Sequence, residues 1–336
     1  MAAAENTFQS ILMKDAEWCN YLGITDFDSL NRIIRTGRAV QLVNLCEARH
    51  ENRCSAICQS IVDSCARVIL IAGPSSSGKT STSLRIGLQC KVHGLNPRTI
   101  ELDNYFEERE KTPKLPDGSY DFECLEAMDT TLLNDHIGRL LDGEEVSLPT
   151  FDFIAGKKIY KGNTMKLGHD DILVLEGIHG LNPALTAEIP DYVKFKIFVS
   201  DISSMSDYDE AIRVSDNRLM RRAVRDVRTR GHSCEDTING WGNVLEGEKK
   251  YIYPFQQYAD AVFNSTIQYE LPLLKHYVSP MLRNIEPQSA AYPKAEQLLS
   301  FLDKMEALSV DAINAIPCTS IMREFIGGQI LSRELL

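Results

Sequence analysis

The sequence predicts an α/β fold: a parallel sheet flanked by helices, with an arginine-rich lid helix and helical N- and C-terminal extensions. Three observations predict it. From Arg67 onward, short apolar runs alternate with amphipathic stretches, the pattern of buried parallel strands joined by crossover helices. The first run, Val68–Ala72, passes directly into Gly73-Pro74-Ser75-Ser76-Ser77-Gly78-Lys79-Thr80, a complete G-x-x-x-x-G-K-[ST] loop. Further on, Arg213, Arg218, Arg221, Arg222, Arg225, Arg228 and Arg230 crowd one segment that ends at Gly231.

Taken in chain order, residues 1–66 read as a helical N-terminal extension, with a turn near Gly23 and a break near Gly37. Residues 67–285 form the central domain. Its expected strands are Val68–Ala72, Thr99–Leu102, Ile172–Leu175, Lys194–Val199 and Ala261–Phe263. Most of them end at a polar residue or glycine, where ligands of open α/β sheets gather. A helix is expected over Thr82–Val92, with Leu84, Leu88 and Val92 on one side and Gly94 as its stop. Residues 286–336 form a C-terminal helical tail, with Tyr292–Ala307 expected as helix and Ile326-Gly327-Gly328-Gln329 as a tail turn.

The chain has 336 residues, of which 43% are hydrophobic and 25% charged, near the averages for ordered globular proteins. Its formal charge of −11 argues against nucleic acid or an anionic membrane as partner, because both reward excess Lys and Arg. No apolar run approaches the roughly 20 residues of a membrane span, and the start Met1-Ala2-Ala3-Ala4-Glu5-Asn6 lacks the regions of a signal peptide, so the expected compartment is cytoplasmic. Nine cysteines without a C-x-x-C pair suit reduced, packed thiols. Cys46, His50, Cys54 and Cys58 recur every fourth residue. On a helix each such step turns about 40° and climbs about 6 Å, giving a ladder that does not converge on one metal.

The glycine-rich loop is the strongest functional signal. Glycines let successive backbone N–H groups turn toward phosphates, and the following helix adds the positive end of its dipole. Gly73, Ser75, Ser76, Ser77, Gly78, Lys79, Thr80 and Ser81 are therefore the expected nucleotide-binding residues. Lys79 reaches the β- and γ-phosphates in such loops, and Thr80 carries Mg²⁺. This gives the sheet its P-loop NTPase type, with ATP and Mg²⁺ as expected cofactors. At the other strand ends, Leu102-Asp103-Asn104 presents Asp103, a candidate proton acceptor, Mg²⁺ ligand or strand cap. Val174-Leu175-Glu176-Gly177 presents Glu176, so that Thr80, Asp103 and Glu176 form a candidate oxygen-rich Mg²⁺ set. On the arginine helix, Arg218, Arg222 and Arg225 share one face and Arg221, Arg225 and Arg228 an adjacent one. Such a helix can close over a charged transition state, or can be a solvated face paired with Asp216 and Asp226.

With these motifs in place, the chain resembles the uridine kinase and phosphoribulokinase family of P-loop kinases. The matching pieces are the P-loop, Leu102-Asp103-Asn104-Tyr105-Phe106, Tyr120-Asp121-Phe122-Glu123 with Ala127-Met128-Asp129, Leu148-Pro149-Thr150-Phe151-Asp152-Phe153, Leu175-Glu176-Gly177-Ile178, and Arg218 to Gly231. They cover about 68 to 264. The chain also resembles longer bacterial uridine-kinase-like proteins, without their N-terminal domain similar to one in threonyl-tRNA synthetase.

The resemblance implies transfer of the ATP γ-phosphate to a hydroxyl of a nucleoside or related sugar-bearing metabolite. It implies Asp103 as base, Lys79, Arg225 and Arg230 on phosphates, Glu123 and Arg222 near the acceptor's ribose, and Phe106 and Phe153 beside the acceptor. The expected partner is that small molecule, with a homo-oligomer left open.

The pattern departs where uridine kinases read the pyrimidine: here those positions are Phe151, Gly156, His232 and Gly240. Lys157, Lys158, Tyr160 and Lys161 beside them suit a more polar acceptor or a solvated basic turn. Among competing readings, a regulatory GTPase lacks its N-K-x-D loop, a transport ATPase rests on the fragment at 326–329 alone, and the alternative is a nucleotide-binding sensor or regulatory P-loop ATPase without a small-molecule acceptor.

Overall fold

The computed structural model describes residues 2–114, 118, 120–152, 155–203 and 214–332. Five parallel strands form the central sheet: β1 (Val68–Ala72), β2 (Asn96–Glu101), β7 (Asp171–Glu176), β8 (Lys194–Ser200) and β9 (Ala261–Asn264), in the order β2-β7-β1-β8-β9. Two small antiparallel pairs lie outside it, β3 (Val146–Ser147) with β6 (Thr164–Met165), and β4 (Thr150–Asp152) with β5 (Lys157–Ile159). β1 is apolar throughout and all five of its residues are buried, because both faces of the sheet are covered. β2 is an edge strand, which explains how it holds Pro97.

Alternate residues of the sheet feed two cores. Val68, Leu70, Leu173 and Leu175 pack with Leu133, Ile137 and Leu140 of α5 (Thr130–Leu141). Ile69, Ile71, Val174 and Ile197 pack with Ile86 and Cys90 of α4 (Lys79–Val92) and with Cys54, Cys58 and Ile61 of α3 (Ala39–Asp63). The N-terminal region, α1 (Ala2–Leu22), α2 (Phe27–Arg35) and α3, turns at Gly23 and Gly37, both with positive φ. Its last helix joins the layer that covers the sheet. Cys46, His50, Cys54 and Cys58 are all buried along α3, with His50 Nε2 3.0 Å from the Thr266 carbonyl.

A third core joins α2 and α3 to α6 (Val214–Thr229), α7 (Cys234–Asn239), α9 (Glu270–Arg283) and the C-terminal α10 (Tyr292–Leu302), α11 (Val310–Asn314) and α12 (Met322–Ile326). Between α7 and α9 lies α8 (Trp241–Tyr251). α10 stops five residues short of the expected Ala307. Asn31 accepts from Glu306 N at 2.7 Å and donates to the Lys304 carbonyl at 2.8 Å, so a buried side chain from α2 takes over backbone groups the helix would have used. In the opposite sense, α4 begins three residues before the expected Thr82, its first turn being Lys79-Thr80-Ser81. Among the described residues no helix is long and apolar enough to cross a membrane.

Candidate functional site

The P-loop occupies the carboxyl end of β1, level with the ends of β7 and β2: Ile71 pairs with Glu176, and Glu176 with Glu101. Its conformation requires glycine at two places. A Cβ on Gly73 would lie 2.0 Å from the Val199 carbonyl oxygen, so only glycine lets the loop leave the sheet against β8. Gly78 sits at φ +87°, and Ser76 also takes a left-handed φ of +57°, turns that gather N–H groups on one side of the loop. Lys79 spans the loop, donating to the Pro74 carbonyl at 3.0 Å. Burial lowers its pKa, against the opposing pull of Glu176, Glu324 and Glu248.

Next to it, the Thr80 hydroxyl donates to both carboxylate oxygens of Glu176, at 3.0 and 3.1 Å. A hydroxyl and a carboxylate at the mouth of a phosphate loop are the hard oxygen donors that Mg²⁺ takes alongside phosphates and water, so these residues fit the ion. Asp103 follows β2 on a 3₁₀ turn, Leu102–Tyr105. The turn is fixed from beneath: Leu102 and Tyr105 are buried, Tyr105 Oη lies 3.0 Å from His136 Nδ1, and Asn104 Oδ1 accepts from Phe151 N at 3.1 Å. The Asp103 side chain is thereby left exposed on the wall of the cleft.

That cleft, of about 480 Å³, brings together Ser75, Ser76, Gly78, Lys79, Thr80, Asp103, Phe106, Glu123, Glu176, Arg222, Arg225 and Arg230. Gly73, Ser77 and Ser81 support it from the loop and the first turn of α4 without lining it. In its acceptor half, Phe106 meets Phe122 and Phe151 edge-on, with ring centroids 5.8 and 5.7 Å apart. Glu123 is exposed as a residue, but desolvation of its carboxyl in the cleft raises its pKa, while Arg222 and Lys79 pull it back down.

The other expected acceptor residues are placed differently. Phe151 is buried behind Phe106. Gly156 takes the tight β4–β5 turn at φ +68°, where a Cβ would meet Arg109 Cβ at 2.7 Å, and does not line the cleft. His232 is exposed beyond the end of α6, also outside the lining. Phe153 lies outside the described residues.

Apart from Arg228, which bonds the Glu324 and Phe325 carbonyls, the arginines of α6 and Arg230 just past its end fall into two groups. Arg218 makes a two-point contact with Glu248 at 2.6 and 2.9 Å and pairs with Asp201 at 3.1 Å. Arg221 pairs with Glu270, Nη2 to Oε2 at 2.6 Å, and donates to the Ser265 carbonyl at 3.0 Å. Both are buried, and both also donate to P-loop carbonyls, Ser75 at 3.1 Å and Ser76 at 3.3 Å. Arg222, Arg225 and Arg230 instead surround the buried Asp226, at 3.2, 3.0 and 3.5 Å, and line the cleft. Arg222 also donates to Ser75 Oγ at 2.7 Å.

Four residues at the site carry no local sequence signal. Glu248 accepts from the Ser75 N–H at 2.8 Å. His179 is buried on the cleft wall beside the Tyr251 ring. Glu324 and Gln329 come from the tail, and both bond Ser81, through its hydroxyl at 2.7 and 2.9 Å.

The sequence has relatives among known proteins. Residues 68–271 match the Phosphoribulokinase / Uridine kinase family, more than half of the chain. Over 196 residues the chain is 30% identical to the uridine kinase of Bacillus mycoides, a span covering 58% of this chain and 84% of that protein. It is 28% identical over 196 residues to uridine-cytidine kinase B of Dictyostelium discoideum, covering 58% and 73% respectively. A solved structure described as a possible uridine kinase from Bacillus stearothermophilus superposes with a TM-score of 0.42 at 18% identity, over 65% of this chain and 100% of that one. With its P-loop, parallel sheet and arginine helix in family order, this phosphotransferase belongs to the phosphoribulokinase / uridine kinase family.

Proposed function

We propose that this protein is an ATP-dependent kinase that transfers the γ-phosphate to a hydroxyl of a nucleoside or a related sugar-bearing metabolite. The observation that carries the reading is the shared cleft: phosphate loop, Asp103, Glu123 and the Arg222–Arg225–Arg230 group all open onto one cavity. In this reading Asp103 accepts the proton of the attacking hydroxyl. Lys79, Arg225 and Arg230 hold the phosphates and meet the charge that develops on the transferring group. Thr80 and Glu176, with Asp103, would hold Mg²⁺, which would supply positive charge beside the phosphates.

Glu123 accepts hydrogen bonds from vicinal hydroxyls of the acceptor, and Arg222 orients it. The aromatic wall of Phe106 and Phe122 suits the flat face of a base or the apolar face of a sugar. Gly156 and His232 stand outside the lining, which favours an acceptor read through its sugar more than through a pyrimidine edge.

The test is ADP release with Mg-ATP over a panel of nucleosides, pentoses and sugar phosphates. One or more acceptors should raise the rate well above background ATP hydrolysis. Asp103→Asn should remove that increment, by about 10²- to 10⁴-fold, while leaving ATP binding intact. A flat panel would overturn the kinase reading in favour of a nucleotide sensor.

A further inference from the structure

Ser81, in the first turn of α4, presents a backbone N–H and a hydroxyl of the kind that bind anions, and one anion already holds both. Glu324, from the C-terminal tail, accepts from Ser81 N at 3.3 Å and from Ser81 Oγ at 2.7 Å, with Arg225 Nη1 3.9 Å away. Gln329 donates to the same Ser81 hydroxyl at 2.9 Å. The backbone N–H groups of this loop and helix start are the groups that cradle the α- and β-phosphates of a nucleotide. Glu324 also lines the cleft.

The tail delivers this carboxylate by design of its packing. Ile321, Met322 and Phe325 are wholly buried in the core that contains α6. Arg228 of α6 donates to the Glu324 carbonyl at 2.7 Å and to the Phe325 carbonyl at 3.1 Å, capping the end of α12 as a cation does. Gly327 and Gly328, at φ +95° and +82°, then turn the chain so that Gln329 returns to Ser81. The tail backbone is therefore fixed, and the movable part is the Glu324 side chain with its three rotatable bonds.

We infer that Glu324 is an internal occupant of the nucleotide site, holding the Ser81 donors until the α-phosphate of an incoming nucleotide displaces its carboxylate. The inference rests on the reading of this cleft as the nucleotide site. Two anions do not share one small donor set, because each needs the same N–H and O–H and repels the other. Glu248 also accepts from the loop, but it is locked by Arg218 on both oxygens and belongs to the permanent frame. Glu324 has no such two-point clamp. Residues 322–329 lie beyond the family match, which ends at 271, so the device is an addition to the shared domain.

An occupant that is present most of the time weakens the apparent affinity by the fraction of time the site is free. Removing it should tighten nucleotide binding about ten-fold. The experiment is calorimetric titration of the full chain with Mg-ATP and with ADP, on wild type, Glu324→Ala and the nearly isosteric Glu324→Gln, whose volume preserves the tail packing. The expected result is tighter binding of both nucleotides by both variants, since both nucleotides carry the α-phosphate.

Unchanged or weaker affinity overturns the inference and leaves the kinase reading standing. Tightening for ATP alone overturns it too, because the competition is then not at the α-phosphate. Binding by none of the three proteins overturns this inference together with the nucleotide-site reading.

Discussion

Two sets of arginines share one helix and do different work. Arg218 and Arg221 are sealed from water, each held by carboxylates, and they reach across to the P-loop carbonyls of Ser75 and Ser76. Arg222 and Arg225 on the same helix, with Arg230 just past its end, share the buried carboxylate of Asp226 and line the cleft. The difference lies in how fully each charge is answered. Arg221 has its fork filled by Glu270 and the Ser265 carbonyl, whereas Arg222, Arg225 and Arg230 divide Asp226 among them at 3.2, 3.0 and 3.5 Å and line the cleft. Guanidinium groups that line the cleft at the mouth of a phosphate loop can meet a polyanion directly. The first set builds the frame that the second set uses.

Breaking the frame should give the largest effect. In Arg221→Met the volume is roughly kept, but Glu270, 1% exposed, loses its partner and remains a buried, uncompensated charge. Removing one member of such a pair costs about 3–5 kcal/mol. Urea unfolding should show a loss of that size, with nucleotide affinity falling only as the fold fails. If Arg221→Met were as stable as wild type and selectively inactive, the division between frame and cleft would be wrong.

The converse substitution is Arg225→Met. Asp226 keeps Arg222 and Arg230, so stability should change by less than about 1 kcal/mol. Turnover should fall about 10²- to 10³-fold, the scale for removing one group that stabilises developing charge. The clearest reading comes from kcat at saturating ATP beside an unfolding midpoint for the same preparation. A drop in midpoint comparable to that of Arg221→Met would place Arg225 in the frame.

Much of this was legible in the sequence, for physical reasons. A strand buried on both faces is a continuous apolar run, so Val68–Ala72 stands out in the sequence with the bounds of β1, and the G-x-x-x-x-G-K-[ST] spacing marks the loop because the turn tolerates little else. The polar opening of β2, Asn96-Pro97-Arg98, does not stand out, because an edge strand needs one partner and shows no apolar run. The frame arginines could not be separated from the cleft arginines either, since helical spacing puts both sets on neighbouring faces and only the partners distinguish them. Those partners are remote: Glu248 is 173 positions from Ser75, and Glu324 is 243 from Ser81. The tail fragment Ile326-Gly327-Gly328-Gln329 was visible as a turn, but nothing local indicates that it turns toward the P-loop.

The smallest effect sharpens the boundary between the two sets, because Arg222 touches both. It donates to Ser75 Oγ, as frame residues touch the loop, yet it also lowers the pKa of Glu123, which desolvation of the carboxyl in the cleft raises above the usual 4.5. In the folded protein Glu123 therefore takes up its proton at a higher pH than in the unfolded chain. Its contribution to stability grows as pH falls through the window above 4.5, while its capacity to accept hydrogen bonds from an acceptor declines. Acidification from pH 8 should raise the acceptor KM in wild type while this group favours folding, opposite signs that separate binding from stability. Glu123→Gln should have a KM raised about ten-fold, one lost hydrogen bond to a charged group, without that acid limb. If Arg222 belongs with the cleft arginines, Arg222→Met should shift the acid limb toward neutral pH, since the cation that favours the carboxylate is gone. An acid limb unchanged from wild type would assign Arg222 to the frame with Arg218 and Arg221.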